Sequence, residues 1–173
     1  MSTRLRTRSL RAAGGAGALL ALASLARADS STDAPPDQYN LFNQNNEVIE
    51  DDWTKLVWQR GPPTASVSFI NAELYCSTLV LATGTGSSTG WRLPSYKELM
   101  TLVDETPHVE YEGGQLVTKW IDGDAFPQAT VTPGYWTSSM YPVGTGDVYT
   151  VNFHNGVPEP QDVMGTYLVR CVH

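Results

Sequence analysis

Two aspartates separated by a single glycine, Asp122 and Asp124, are the side chains of this chain whose spacing best suits metal binding. A turn of this kind can direct two carboxylate oxygens to one point, and Ca²⁺ prefers hard oxygen ligands. The sequence favours an acidic surface turn at 122–124, and a calcium locus at these residues is the alternative. Other acidic side chains that could complete the coordination shell are Glu110, Glu112, Asp147 and Asp162.

A second set of residues has the chemistry needed to bind a sugar. An exposed aromatic ring can stack on the flat apolar face of a pyranose while adjacent polar groups bond to its hydroxyls. The rings in or beside the least regular part of the sequence are Trp120, Tyr135, Tyr141 and Tyr149. The polar side chains that could accompany them are Asp122, Asp124, Gln128 and Asn152. We treat these residues as the predicted ligand-binding set.

Motifs for catalysis are weak in this sequence. The histidines, His108, His154 and His173, are scattered, and none has a partner at catalytic spacing. The serine pair at 138–139 lacks the glycine frame of a hydrolase nucleophile. The chain also has no phosphate-binding loop and no dinucleotide fingerprint. These observations favour a non-catalytic protein.

The run WRLPSYKEL, residues 91–99, predicts a strand end, a turn at Pro94 and then a helix over 96–103. Ser95 and Glu98 have the spacing of a capping box. In that motif the serine side chain accepts from the glutamate amide, and the glutamate side chain accepts from the serine amide. The sequence therefore predicts that this helix begins directly after Ser95.

Four residues, three tryptophans and one arginine, are expected to support the scaffold. Trp58, Trp91 and Trp136 lie in predicted core elements, so packing is expected for them rather than sugar binding. Arg92 lies between two apolar residues, and we expect it to pair with a nearby carboxylate and so fix the helix.

The rest of the folded part predicts one more helix and several short strands. Apolar side chains at steps of three and four predict a helix over 66–81, with Cys76 facing inward. Alternation and turn residues predict a hairpin at 48–59 and strands at 135–139, 148–153 and 167–172. Residues 82–90 and 104–134 carry few regular cues, so both stretches are predicted to be loops. This mixture predicts an α+β domain.

The first 28 residues have the features of a secretory signal. Four arginines precede a small, apolar stretch over 12–26, and an A-x-A cleavage site ends at Ala28. The apolar stretch is too short to span a bilayer, so cleavage is predicted and a retained anchor is the alternative. The polar, proline-bearing segment 29–38 is predicted to be a flexible leader. Residues 39–173 are then one folded domain.

Removal of the signal would make the protein strongly acidic. The first 28 residues hold five arginines and no acid, so the formal charge falls from −7 to −12 on cleavage. The negative electrostatic field of a protein with this charge repels polyanions, which excludes nucleic acid as a partner. The small number of remaining bases also argues against sulfated polymers.

Two cysteines, Cys76 and Cys171, lie 95 positions apart. In an oxidising compartment a pair with no other partner is expected to form a disulfide. Closing a loop of that size stabilises a fold by about 4–5 kcal/mol in the chain-entropy model. Two free thiols that bind a metal or cycle between redox states are the alternative, although the C-x-x-C spacing is missing.

The order of these signals along the chain resembles that of a known family. The signals are the run 56–58, the helix with Cys76, WRLPSYKEL, Phe126–Pro127, Tyr135–Ser139, the strand 148–153 and the segment 168–172. This order resembles the Lcl C-terminal domain family, bacterial exported domains of the wider C-type lectin-like fold. The resemblance spans roughly residues 39–173.

The resemblance implies a C-type lectin-like fold in which Cys76 bonds Cys171. It also implies adhesion through glycan binding, including sulfated glycosaminoglycans. The chain departs from that last property, because its only bases after residue 28 are Lys55, Arg60, Arg92, Lys97, Lys119 and Arg170. WRLPSYKEL is also similar to a run in formylglycine-generating enzymes, which need a reactive cysteine pair.

The sequence therefore predicts a secreted or periplasmic recognition domain of the bacterial envelope. Its expected architecture has two helices, short antiparallel strands and a long irregular loop region. Its expected ligand is a carbohydrate or another cell-surface group, with Ca²⁺ as the one cofactor considered and no membrane span after cleavage. The alternatives are an envelope module without a small-ligand site and an enzyme of the formylglycine-generating type. The sequence makes no prediction of oligomeric state.

Overall fold

The computed structural model describes residues 35, 38–41, 47–61, 65–83, 86–127, 129–144 and 146–173. The predicted signal peptide (1–28), most of the predicted leader (29–38) and Gln128 lie outside the described residues. Gln38 is an exception to the predicted leader: it is buried, and its carbonyl accepts from the Asp52 amide at 2.8 Å. The folded part therefore begins before Tyr39.

The described residues contain two helices and ten short strands, and every pair of strands is antiparallel. The helices are α1 (Phe69–Thr78) and α2 (Tyr96–Met100). The strands are β1 (Tyr39–Leu41), β2 (Val48–Asp51), β3 (Val57–Gln59), β4 (Leu81–Thr83), β5 (Gly86–Ser88), β6 (His108–Glu112), β7 (Gln115–Lys119), β8 (Tyr135–Met140), β9 (Val148–Asn152) and β10 (Val157–Gln161). Neither helix is long and apolar enough to cross a membrane. The α+β prediction is confirmed.

The strands form four small sheets. Two sheets have three strands each, in the orders β1-β2-β3 and β10-β9-β8, and the pairs β4-β5 and β6-β7 form the other two. The predicted hairpin at 48–59 is confirmed as β2 and β3. The Asn155–Gly156 turn joins β9 to β10, and Gly156 has φ 69°, a conformation that glycine adopts without steric cost.

The predicted strand at 167–172 is an extended segment that joins several parts of the fold. Tyr167 pairs with Val67, Leu168 with Tyr135, and Val172 with both Trp58 and Arg92. Each of these pairings is an isolated bridge, so the segment does not belong to one sheet. It ties β3, β8 and the segments before α1 and α2 together.

The disulfide between Cys76 and Cys171 is present, with 5.5 Å between the two Cα atoms. Both cysteines are fully buried, in a cluster that includes Ala72 of α1 and the rings of Trp91 and Trp136. A second cluster around Trp58 contains Leu99, Leu102, Tyr135 and Val151. The prediction that the three tryptophans pack in the interior is confirmed.

Both predicted loops contain hairpins. Residues 82–90 include β5, which pairs with β4. Within 104–134, β6 and β7 pair over five residues each, so the prediction of an irregular stretch is wrong for 108–119. Gly113 and Gly114 have φ 56° and 89°, which suits the two-residue turn of a hairpin.

Candidate functional site

Three tyrosine rings meet at the start of β9 and form what we call the tyrosine cluster: Tyr96, Tyr141 and Tyr149. The Tyr149 ring centroid lies 5.0 Å from that of Tyr96 and 5.3 Å from that of Tyr141. The Tyr96 ring is tilted by 32° to it and the Tyr141 ring by 80°. All three are half-buried, so the cluster presents part of its aromatic surface to solvent.

Tyr96 is held in place by a bond between α2 and β8. Its backbone amide donates to the Ser139 hydroxyl at 3.0 Å. The neighbouring Ser138 amide donates to the Pro94 carbonyl at 2.8 Å. Both serines lie where the register of β8 on β9 shifts, between Trp136 and Met140.

The capping box fixes the first turn of α2. The Ser95 hydroxyl accepts from the Glu98 amide at 3.2 Å, and the Glu98 carboxylate accepts from the Ser95 amide at 2.8 Å. Arg92 donates to both carboxylate oxygens of Glu98, at 2.9 and 2.7 Å. These bonds from Arg92, followed by those from Ser95, lower the pKa of Glu98 to about 2. The capping box and the ion pair expected for Arg92 are both confirmed.

Polar groups on β8 and the loop that follows it complete the surroundings of the cluster. The Thr137 hydroxyl donates to the Tyr149 carbonyl at 2.7 Å and accepts from the Ser139 amide at 3.2 Å. The Tyr141 amide donates to the Asp147 carbonyl at 2.8 Å. The two ends of the 141–147 loop are thereby joined, and the aromatic surface lies next to the hydroxyl group of Ser139.

Trp120 and Asn152 lie at the other end of β9. The Trp120 amide donates to the Phe153 carbonyl at 2.7 Å, and Gly156 packs against the Trp120 ring. The Asn152 side chain accepts from the His154 amide at 2.9 Å, so it organises the turn after β9. Phe153 lies four residues after Tyr149 along the extended chain, which corresponds to about 13 Å between their Cα atoms. The structure therefore does not bring Trp120 and Asn152 together with Tyr141 and Tyr149.

Tyr135 is not an exposed ring, so that part of the predicted ligand-binding set is wrong. Its side chain is fully buried, its ring centroid lies 5.2 Å from that of Phe153, and its hydroxyl donates to the Thr130 carbonyl at 2.8 Å. Burial raises the pKa of Tyr135. The ring contributes to the core and cannot stack on a sugar.

The carboxylate of Asp122 bonds to the backbone of its own turn, and the backbone carbonyl of Asp124 bonds to Arg60. The Asp122 carboxylate accepts from the Ala125 amide at 2.6 Å and is almost fully buried. The Asp124 carbonyl accepts from Arg60 at 2.9 Å. Across the described ranges, no group of three or more acidic, histidine or cysteine side chains is arranged to hold a metal ion. The ligand set that a calcium locus would require is therefore not assembled there.

Comparison with known proteins identifies the family. The model of the Lcl C-terminal domain matches residues 47–173. The chain belongs to the Lcl C-terminal domain family. No curated protein is similar enough in sequence to count as a match. Among solved structures, the chain is similar to the crystal structure of CEL-IV, with 14% identity, 81% of this chain and 94% of that chain covered, and a TM-score of 0.35. An identity and a TM-score this low do not establish a shared fold or function.

The basic residues of this Lcl C-terminal domain are mostly engaged by the protein itself. Lys119 and Arg170 are buried. Lys55 and Arg92 form ion pairs with Asp52 and Glu98. Arg60 donates to two backbone carbonyls. The surface therefore offers little positive charge to a sulfated ligand.

Sequence reasoning missed Tyr96 as a member of the site. Its ring packs on Tyr149, which lies 53 positions later in the chain, so a pattern within a short stretch of sequence cannot predict this contact. One signal was available: Tyr96 follows the capping serine directly, and side chains at the first position of a helix are commonly exposed.

Proposed function

We propose that this Lcl C-terminal domain is an exported, non-catalytic recognition domain of the C-type lectin-like type, and that it binds a carbohydrate without sulfate groups. The observation that carries the proposal is the tyrosine cluster, in which three partly exposed rings lie beside polar groups of β8 and the 141–147 loop. Membership of the Lcl C-terminal domain family is compatible with this role.

The chemistry of the cluster suits a sugar. A pyranose has an apolar face that stacks on a ring and hydroxyls that need hydrogen-bond partners around it. The Tyr96 ring is tilted by 32° to that of Tyr149, whereas Tyr141 stands nearly perpendicular to Tyr149, so together they form two sides of a corner. The Ser139 hydroxyl lies next to that corner and can supply a polar partner.

A non-catalytic role is supported by the state of the cysteines. Both cysteines of the chain are joined to each other and fully buried. An enzyme of the formylglycine-generating type would need a reactive pair within reach of its substrate. The scaffold role of Cys76 and Cys171 leaves no thiol for that chemistry.

The proposal is tested by binding of the purified domain to an array of neutral and sulfated glycans. We expect binding to neutral glycans, competition by the free sugar, and at least a tenfold loss of affinity in Tyr141→Ser and in Tyr149→Ser. The loss follows from removal of a stacking surface, which contributes about 1–3 kcal/mol when an aromatic side chain is fully covered.

The matched control is Trp53→Ser, because Trp53 is 67% exposed in the turn between β2 and β3 and lies outside the cluster. Its affinity should equal that of the wild type. Three results would contradict the proposal: no binding to any glycan, loss of binding in the Trp53 variant alone, or binding that is restricted to sulfated glycans.

A further inference from the structure

The hairpin of β6 and β7 has its apolar side chains on the outside. Val109, Tyr111 and Leu116 are 59%, 74% and 73% exposed. Val109 and Tyr111 share a face because they are two residues apart in β6, and Leu116 joins them because it pairs with Tyr111. We call these three residues the outer face. Large apolar side chains that adjoin one another on a surface commonly mark an interaction site.

The side of the hairpin that faces the protein is polar instead. Lys119 is buried there and binds Glu110 at 2.7 Å and also Glu112. His108 lies 3.1 Å from the Glu110 carboxylate. Val117 packs this side against the core. The hairpin is thus anchored by an ion cluster, by Val117 and by a bond between the His154 ring and the Thr118 carbonyl, and none of these contacts covers the outer face.

The acidic residues on this hairpin limit what could cover it. Glu110 and Glu112 keep 35% and 46% of their side chains exposed, and Glu105 before β6 is exposed as well. Lys119 pairs with both Glu110 and Glu112, and one ammonium cannot neutralise two carboxylates, so this part of the hairpin keeps an excess of negative charge. A second copy would bring the same negative charges to the interface, which disfavours self-association. A basic partner is favoured.

The free edge of β6 indicates the form of that partner. Within the described ranges β6 pairs only with β7, over five residues without a register shift. The sequence of β6, HVEYE, contains no lysine, proline or bulge, and its charged residues, Glu110 and Glu112, disfavour an acidic strand at this edge but not a basic one. Such an edge can accept an extended segment as an additional strand.

We propose that β6 and the outer face bind an extended segment of a partner protein in which basic and apolar residues alternate. In an added strand, side chains opposite Val109 and Tyr111 would lie on the outer face and gain from being apolar. Side chains opposite Glu110 and Glu112 would lie on the other face and gain from being basic. Apolar and basic side chains should alternate in the partner because successive side chains of β6 point to opposite faces of the hairpin.

The probe for this site is a fluorescein-labelled peptide of about nine residues in which lysine alternates with valine, titrated with the domain and followed by anisotropy. We expect saturable binding that weakens as salt is added. The double variant Tyr111→Ser with Leu116→Ser should bind at least tenfold more weakly. The control is Ile70→Ser with Leu74→Ser, which removes two exposed apolar side chains from α1 and should bind like the wild type.

Two further peptides separate the proposed site from simple charge attraction. A peptide of lysine alternating with serine, and one of glutamate alternating with valine, should both bind at least tenfold more weakly than the lysine–valine peptide. Equal binding of the lysine–serine peptide would overturn the proposal, as would undiminished binding by the Tyr111 and Leu116 double variant. Absence of any peptide binding would also overturn it. So would light scattering that shows a wild-type dimer and a monomeric double variant, because a second copy would then occupy the face.

The outer face and the tyrosine cluster are independent sites. The Tyr111 and Leu116 double variant should bind glycans like the wild type, and the Tyr141 variant should bind the lysine–valine peptide like the wild type. Failure of one proposal therefore leaves the other to be judged on its own measurement.

Discussion

Arg170 is an arginine in the middle of the core, and its surroundings explain how an ionised side chain is tolerated there. One guanidinium nitrogen donates to the carbonyls of Gln59 and Arg60 at 2.6 Å each. The guanidinium carbon lies 4.4 Å from the ring centroid of Phe126 and 5.5 Å from that of Tyr135. Cation–π attraction and two backbone acceptors therefore replace the carboxylate that a buried arginine commonly has.

We expect Arg170→Lys to lower the free energy of unfolding by about 2–4 kcal/mol, because a lysine lacks the planar guanidinium that packs on the Phe126 and Tyr135 rings while one of its nitrogens donates to both carbonyls. Urea denaturation followed by tryptophan fluorescence measures the change. The same substitution at Arg92, which is half-exposed, should cost less than about 1 kcal/mol. Equal losses at the two positions would show that the buried environment of Arg170 has no special role.

The elements that sequence predicted best are those whose determinants lie close together in the chain. The capping box of α2 depends on Ser95 and Glu98, three residues apart, and both of its bonds are present. The hairpin of β6 and β7 was missed although its signal is local. Two alternating arms flank Gly113–Gly114, but the apolar side chains face outward, so the pattern did not suggest a strand that covers a core.

The candidate site was predictable only in part for a related reason. Tyr141 and Tyr149 were proposed from their position beside an irregular stretch, and the structure places their rings in contact. Tyr135 and Tyr96 were misjudged because exposure depends on packing partners far along the chain. Phe153 and Arg170 pack against Tyr135, and Tyr96 contacts Tyr149 and Ser139, which follow it by 53 and 43 positions. The binding role of Tyr141 and Tyr149 remains a prediction.

The ion pair that anchors α2 should make stability depend on pH. The pKa of Glu98 falls from 4.5 to about 2 on folding, so its contribution is complete above pH 4.5 and is lost as the pH falls toward 2. We expect Glu98→Gln to lower the free energy of unfolding by about 1–2 kcal/mol at pH 7, a value reduced for solvent screening at the exposed Arg92. The difference from the wild type should shrink between pH 4.5 and pH 2.

Urea denaturation at pH 7, 4 and 3 measures this dependence. Glu73→Gln, at an exposed position of α1, is the control and should change stability by less than about 0.5 kcal/mol at each pH. A difference between Glu98→Gln and the wild type that stays constant down to pH 3 would contradict the assignment.

The described domain is held together by cross-connections between distant parts of the chain. The disulfide joins α1 to the segment 167–173, and that segment bonds in turn to β3, β8 and the turn before α2. Each of the four sheets is small, with two or three strands. Stability therefore depends on the segment that connects them more than on any one sheet.

We expect the double variant Cys76→Ala with Cys171→Ala to lose about 4–5 kcal/mol of unfolding free energy, the chain-entropy value for a loop closed by cysteines 95 positions apart. Denaturation of the wild type in the presence and absence of a reducing agent provides the matched comparison. A loss below about 1 kcal/mol would show that the bond has little structural effect. Loss of a ligand-binding activity at unchanged stability would point to a chemical role for the thiols.

The position of the connecting segment also constrains how the protein is made. Residues 167–173 follow every other element in chain order, yet Leu168 and Val172 lie in one core cluster and Val169 and Cys171 in the other. A nascent chain on the ribosome therefore cannot close either cluster until this stretch has been synthesised. The domain should therefore fold only after this segment has been synthesised, and a stop codon before Tyr167 should abolish folding.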